Sequence, residues 1–213
     1  MSDSLKTSSA TGNQHQIGDE IKGVLIFVGV IWVIHVLDIF LPPLGEYLAL
    51  VPRYLSGIPG IGAMTFLHAD FGHLMANTFP LIVLLTLLAG SRANSWQTVA
   101  SIAALGGLLL WLFGRNGTDN QIVSHVGASL LVFGLVTFFL AAAWFEKRLV
   151  PMLIAVVVGF MYGWSTLTGV LPIARGVSWD GHLCGAIAGV LVAWLQTGLG
   201  QSTRSHTDRI DTV

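Results

Sequence analysis

Long apolar runs alternate with short polar or mixed segments along most of the chain. The runs fall at residues 24–41, 71–90, 99–113, 126–145, 151–170 and 181–197. About 20 mainly apolar residues are needed to cross a hydrocarbon layer of about 30 Å. Backbone groups in lipid must also find their partners inside the segment, so each run is expected to be a helix. The third run is short and the second opens with polar residues. The fold class this pattern predicts is an all-α membrane protein: a bundle of six transmembrane helices forming one domain over 24–200. The polar ends, 1–23 and 201–213, are expected to be flexible tails, because they hold too little apolar surface to fold. The first of them has no basic stretch leading into a short apolar run and cleavage site, so it does not read as a signal peptide.

Composition supports the pattern. Hydrophobic residues make up 54% of the 213 positions and charged residues only 10%, against about 25% charged in ordinary soluble domains. Lipid is therefore the expected solvent. With a formal net charge of -1 and no cluster of Lys and Arg, a nucleic-acid partner is not expected. The single cysteine, Cys184, excludes an intramolecular disulfide framework and is expected to be a buried packing thiol. Charge asymmetry predicts the orientation. With the N-terminus cytoplasmic, Lys6, Lys22, Arg92, Lys147, Arg148, Arg204 and Arg209 lie inside, and Arg53, Arg115 and Arg175 lie outside. Seven against three places both termini in the cytoplasm; by analogy, the short chain, its six spans and the lack of a targeting peptide point to a bacterial inner membrane. Residues 42–62 read as an interfacial excursion and 115–124 as a polar loop.

Polar side chains inside spans are costly and mark function by default. Here they gather at one depth. His68, His73 and Asn77 open the second run, Ser129 the fourth and His182 the sixth. On the topology above, all three begin on the outer face. His73 and Asn77, four apart, share one helix face, and both carry N–H donors suited to an oxyanion. Ser129, in the GAS sequence 127–129, opens a helix where backbone N–H groups lack partners. Its hydroxyl needs a base to act as a nucleophile, and His182 is the candidate. Gly181, Gly185 and Gly189 space a double GxxxG that lets a neighbouring helix approach. Gly127 and Gly134 offer a matching face on the fourth run.

The strings FLHADFGHLMAN (66–77), GAS (127–129) and DGHLCGAIAG (180–189) resemble, in order, the motifs of the rhomboid family of intramembrane serine proteases. The resemblance covers nearly all of the chain outside its tails. It implies a Ser129–His182 dyad, with Asn77 and His73 as oxyanion donors and His68, Gly127 and Phe133 in supporting roles. The implied reaction is hydrolysis of peptide bonds in or near transmembrane segments of membrane-protein substrates. It needs no cofactor or metal. The fifth span, with Gly159, Gly163 and Trp164, corresponds to the family's lateral gate. Asp180 reads as an N-cap of the last helix. Two departures stand out. Leu130 replaces the Gly common after the nucleophile and is expected to crowd the site if a backbone packs there. Phe133 supplies a ring, but no hydroxyl, where some members have Tyr.

Other readings compete. A rhomboid-like protein that binds transmembrane helices without cutting them is compatible with Leu130. A transporter would distribute polar groups through the full depth, whereas here they stop near one face. A metal site from His68, His73 and His182 lacks helix spacing and a carboxylate motif. His35 reads as interfacial, His15 and His206 as tail residues, and the sequence assigns His125 no role.

Overall fold

The computed structural model describes residues 17–41, 44–92, 94–115, 117–118, 121–173 and 176–210, with backbone alone at 118, 121 and 198–210. Residues 1–16 and 211–213 of the expected tails, and Arg175 of the charge tally, lie outside the described residues.

Each apolar run forms a helix, with boundaries set by local chemistry. α1 (Ile17–Phe40) starts ahead of its apolar run, so residues 17–23 are helix rather than tail. Asp19 and Glu20 lie in its first turn, where the helix dipole favours carboxylates. α2 (Leu44–Leu48), a 3-10 turn at Leu55–Gly57, α3 (Gly60–Ala63) and a second 3-10 turn at Met64–Phe66 form a folded excursion rather than a span. α4 (Phe71–Ser91) is capped by Asp70, whose side chain accepts from His73 N at 2.8 Å. α5 (Ser95–Phe113) has 19 residues and begins four residues before the apolar run. Its polar first turn is paired, Ser95 with Glu20 and Thr98 with Gln196 of the last helix. The third span is therefore long enough to cross.

A two-residue hairpin, β1 (Gly117–Thr118) with β2 (Gln121–Ile122), closes the next loop. α6 (Ser129–Glu146) and α7 (Leu149–Gly169) follow. α8 (Trp179–Ile210) keeps a helical backbone through most of the polar C-terminal end. Among the described residues, five helices are long and apolar enough to cross a membrane. α8 is not among these five, yet it packs more extensively on α6 than any other helix does.

The architecture is an all-α bundle with α6 at its centre. Half of the apolar stretch of α6 is buried but only 6% of that of α7, whose side chains mostly face outward. α6 contacts α4, α5, α7 and α8, and its Leu131, Leu135 and Phe138 are fully enclosed. The folded excursion seals one end of α5. Arg53 donates to the carbonyls of Leu112 (3.1 Å) and Gly114 (2.8 Å), satisfying helix-end acceptors that have no partner in their own helix.

The α6–α8 contact depends on absent side chains. A Cβ at Gly185 would overlap the Leu130 carbonyl, and one at Gly189 would overlap the Gly134 carbonyl and the Thr137 hydroxyl. Backbones thus meet directly, and Thr137 Oγ1 donates across the contact to Ala186 O at 2.8 Å. Two expectations change. Gly181 packs on Ser178 rather than on α6, and Gly127 lies outside the helix against His73. Gly189→Val is expected to destabilise the fold by at least about 2 kcal/mol through overpacking, read as a lowered melting temperature in detergent. Gly163→Ala, where a Cβ meets nothing within 4 Å, should leave the melting temperature unchanged or raise it slightly.

Candidate active site

Three helix N-termini and one helix C-terminus converge at one end of the bundle. α6 begins late, at Ser129, because the chain before it is held elsewhere. His125 pairs with Leu50 as an isolated β-bridge, and Gly127 N donates to Met64 O at 2.8 Å. Gly127 has φ +113 and lies directly under the His73 imidazole. A Cβ there would come within 2.5 Å of Cε1 and Nε2. Only glycine fits both the backbone conformation and the contact. Ser129 follows two residues later, half-buried.

On α4, Asn77 is buried and its Nδ2 donates to His73 O at 2.8 Å. One of its two amide hydrogens is thereby used and the other remains. His68, buried in the approach to α4, meets His73 edge to face, with centroids 5.1 Å apart. Burial above all, with His73 and His35 nearby, lowers its pKa to about 4, so His68 is neutral at physiological pH. His35 of α1 is buried beside this group rather than interfacial.

His182 lies one turn into α8. Phe133 of α6 stacks on its ring at 3.9 Å and 12°, and Gly169, at the end of α7, leaves room for the Phe133 ring. His182 Nδ1 lies 2.9 Å from Gly169 O. A carbonyl only accepts, so Nδ1 carries the proton and Nε2 of the neutral ring holds a lone pair. The bond also satisfies one of the carbonyls left open at the C-terminus of α7. Among the described residues no hydrogen bond joins Ser129 to His182, although Phe133, one turn beyond Ser129 on α6, lies against the His182 ring. No group of three His, Cys, Asp or Glu side chains among the described residues is arranged to hold a metal.

Leu130 does not crowd this cluster. Its side chain is buried against α5, where Gly106 makes space for it, and packs with Leu50, Met64, Leu110 and Cys184. The thiol of Cys184 is thus a packing group.

A second set of residues, illegible in the sequence, braces the site from the loop side. Asp180 is within the first turn of α8 rather than its N-cap. Its carboxylate accepts from Arg115 N at 2.8 Å and from the Arg115 guanidinium at 3.2 Å. His125 is buried, with Nδ1 2.7 Å from Ser178 Oγ and Nε2 3.7 Å from Asp180 Oδ2. This network ties the loop before Ser129 to the start of the helix carrying His182. The only available signal was a histidine and an aspartate each placed a few residues before a chemistry-bearing residue.

A family model described as the rhomboid domain matches residues 60–198, well over half of the chain. The chain belongs to the rhomboid family. Among similar proteins, an uncharacterized protein of Mycobacterium tuberculosis is 37% identical over 187 residues, covering 85% of this chain and 77% of the relative. Another, of Mycobacterium leprae, is 42% identical over 151 residues, covering 68% and 59%. Rhomboid-like protein 11, chloroplastic, of Arabidopsis thaliana is 29% identical over 152 residues, covering 62% and 50%. Together with the apolar helices, membership makes this rhomboid an integral membrane protein that works in a lipid bilayer.

Burial lowers the pKa of His125 from its ordinary 6.5, and the nearby Asp180 opposes the shift. Since the folded pKa lies below the unfolded one, the neutral ring contributes stability in full above about pH 6.5 and loses it as pH falls toward the folded value. The melting temperature of the detergent-solubilised protein should therefore drop on acidification below pH 6.5. The drop should be shallower in His125→Gln, and equal slopes would show that His125 is not responsible. Removing the charge with Asp180→Asn should cost about 1–2 kcal/mol, toward the low end for a charged hydrogen-bond acceptor because Arg115 is half exposed.

Proposed function

We propose that this rhomboid is an intramembrane serine endopeptidase, hydrolysing peptide bonds in or near transmembrane segments of membrane-protein substrates through a Ser129–His182 dyad. The observation that carries the proposal is the Nδ1 bond of His182 to the Gly169 carbonyl. It selects the tautomer in which Nε2 is the base, and the Phe133 stack fixes the ring plane. A carbonyl thus performs the orienting task that an acidic residue performs in a triad. Asp180 is engaged with Arg115 and His125 instead, in keeping with a dyad.

In this mechanism Nε2 takes the Ser129 proton as Oγ attacks the scissile carbonyl. The oxyanion forms near the N-terminus of α6, with the Ser129 N–H, the free amide hydrogen of Asn77 and His73 as donors. Collapse expels the amine, which receives the proton from His182. Water then hydrolyses the Ser129 ester by the same base. The missing Ser129–His182 hydrogen bond is compatible with catalysis, since catalytic bonds often tighten only with substrate in place. α7, little buried and facing lipid, is the helix past which a substrate enters. With both termini cytoplasmic, as the charge bias favours, the cut falls toward the outer face of the bacterial membrane.

The same missing bond favours the second reading, a rhomboid-like protein that binds transmembrane helices without cutting them. A fluorophosphonate probe separates the two. Wild type is expected to label, while Ser129→Ala and His182→Ala lose at least 100-fold in labelling and in cleavage of a single-span reporter in vesicles, at unchanged melting temperature. An unlabelled wild type that retains intact reporter would establish the binding reading.

A further inference from the structure

At the end of the bundle opposite the candidate active site, the ends of α4 and α6 and the first turns of α7 enclose a cavity of about 200 Å³. α6 alone separates the two by about 27 Å, at 1.5 Å rise per residue. Its wall combines carbon from Phe139, Pro151 and Ile154 with the charged Arg92, Glu146 and Arg148. Arg92 is held in place. It pairs with Glu146, with side chains 22% and 15% exposed, and its guanidinium lies 5.2 Å over the Phe138 ring.

Glu146 is thereby neutralised by a partner that cannot swing away. Arg148 is different. It is exposed, and among the described residues its side chain makes no hydrogen bond or ion pair. It stands at the N-cap of α7, with no side-chain cap on the helix, so the first turn that follows it keeps unpaired N–H groups and the positive end of the helix dipole. Two cations against one carboxylate leave this wall with one net positive charge. The two-residue connection between α6 and α7 forces the arrangement, since Lys147 takes a left-handed conformation, φ 51, to turn the chain there.

We propose that this cavity binds an anionic phospholipid of the adjoining leaflet, with its phosphodiester on Arg148 and the first turn of α7 and an acyl chain along Pro151 and Ile154. The occupant must be part anionic and part apolar, because the cavity is both and opens where phosphate and acyl chains meet. A basic recess between transmembrane helices at the interface is a suitable place for such a headgroup. A bound lipid would anchor the foot of α7, the helix with the least buried surface, while its far end holds His182 through Gly169. This site does not depend on the protease reading.

The test uses the full chain, purified and delipidated in detergent. Its melting temperature is followed on addition of phosphatidylglycerol, phosphatidylcholine or inorganic phosphate. Phosphatidylglycerol should raise it by several degrees and be retained as a single molecule in native mass spectrometry, with phosphatidylcholine and phosphate without effect. Arg148→Gln should weaken the response at least fivefold without changing the lipid-free melting temperature, while Lys22→Gln, at an exposed cation outside the cavity lining, should respond as wild type. Stabilisation by phosphatidylcholine to the same degree would overturn the proposal. So would a response equalled by inorganic phosphate, which would mean a free-anion site, or one undiminished in Arg148→Gln.

Discussion

Everything at the candidate site depends on two backbones touching. The Leu130 and Gly134 carbonyls of α6 lie where Gly185 and Gly189 of α8 have no side chains. In lipid, apolar surface gains little by leaving one apolar solvent for another, so helix association draws on close van der Waals contact and interhelical hydrogen bonds. The glycine contact, with the Thr137 bond across it, supplies both. It also sets the register that brings Phe133 onto His182, and with it the helix bearing Ser129 beside the helix bearing His182. A single methyl group at Gly189 would meet backbone, which cannot rotate away.

The second constraint is that buried polar groups must be paired or neutral. The end of α7 has open carbonyls and His182 has an N–H, and each satisfies the other. The loops ahead of α6 and α8 solve the same problem with the Arg115, His125, Ser178 and Asp180 network. The bonds that stabilise the loops are thus the ones that hold the two candidate catalytic helices at a common depth. Polar order at the site and stability of the fold are coupled here rather than opposed.

At the other end of the bundle the logic is one of charge rather than hydrogen bonding. Arg92 and Glu146 neutralise one another in a partly buried place, and Arg148 has only solvent or lipid to meet. α7 is held at its C-terminal end by the Gly169–His182 bond and along its length mainly by α6.

Hydropathy alone determined that this chain is a helical membrane protein, because twenty apolar residues have few other stable arrangements in water or lipid. The order and spacing of His73, Asn77, Ser129 and His182 pointed to a site because charged or hydrogen-bonding groups inside a span are too costly to be accidental. Helix ends were less legible. The third run looked short because its polar first turn, Ser95 and Thr98, finds its partners on α1 and α8. Gly127 looked helical until its φ and the His73 ring were known. Leu130 looked obstructive because the space beside it belongs to Gly106, a residue on another helix. The roles of Asp180, His125 and the Gly169 carbonyl were likewise out of reach, since each depends on a partner between 2 and 65 positions away in the chain. Local pattern is a property of consecutive residues and survives in the sequence. Which carbonyl a histidine meets is a property of how helices pack, and only the tertiary structure decides it.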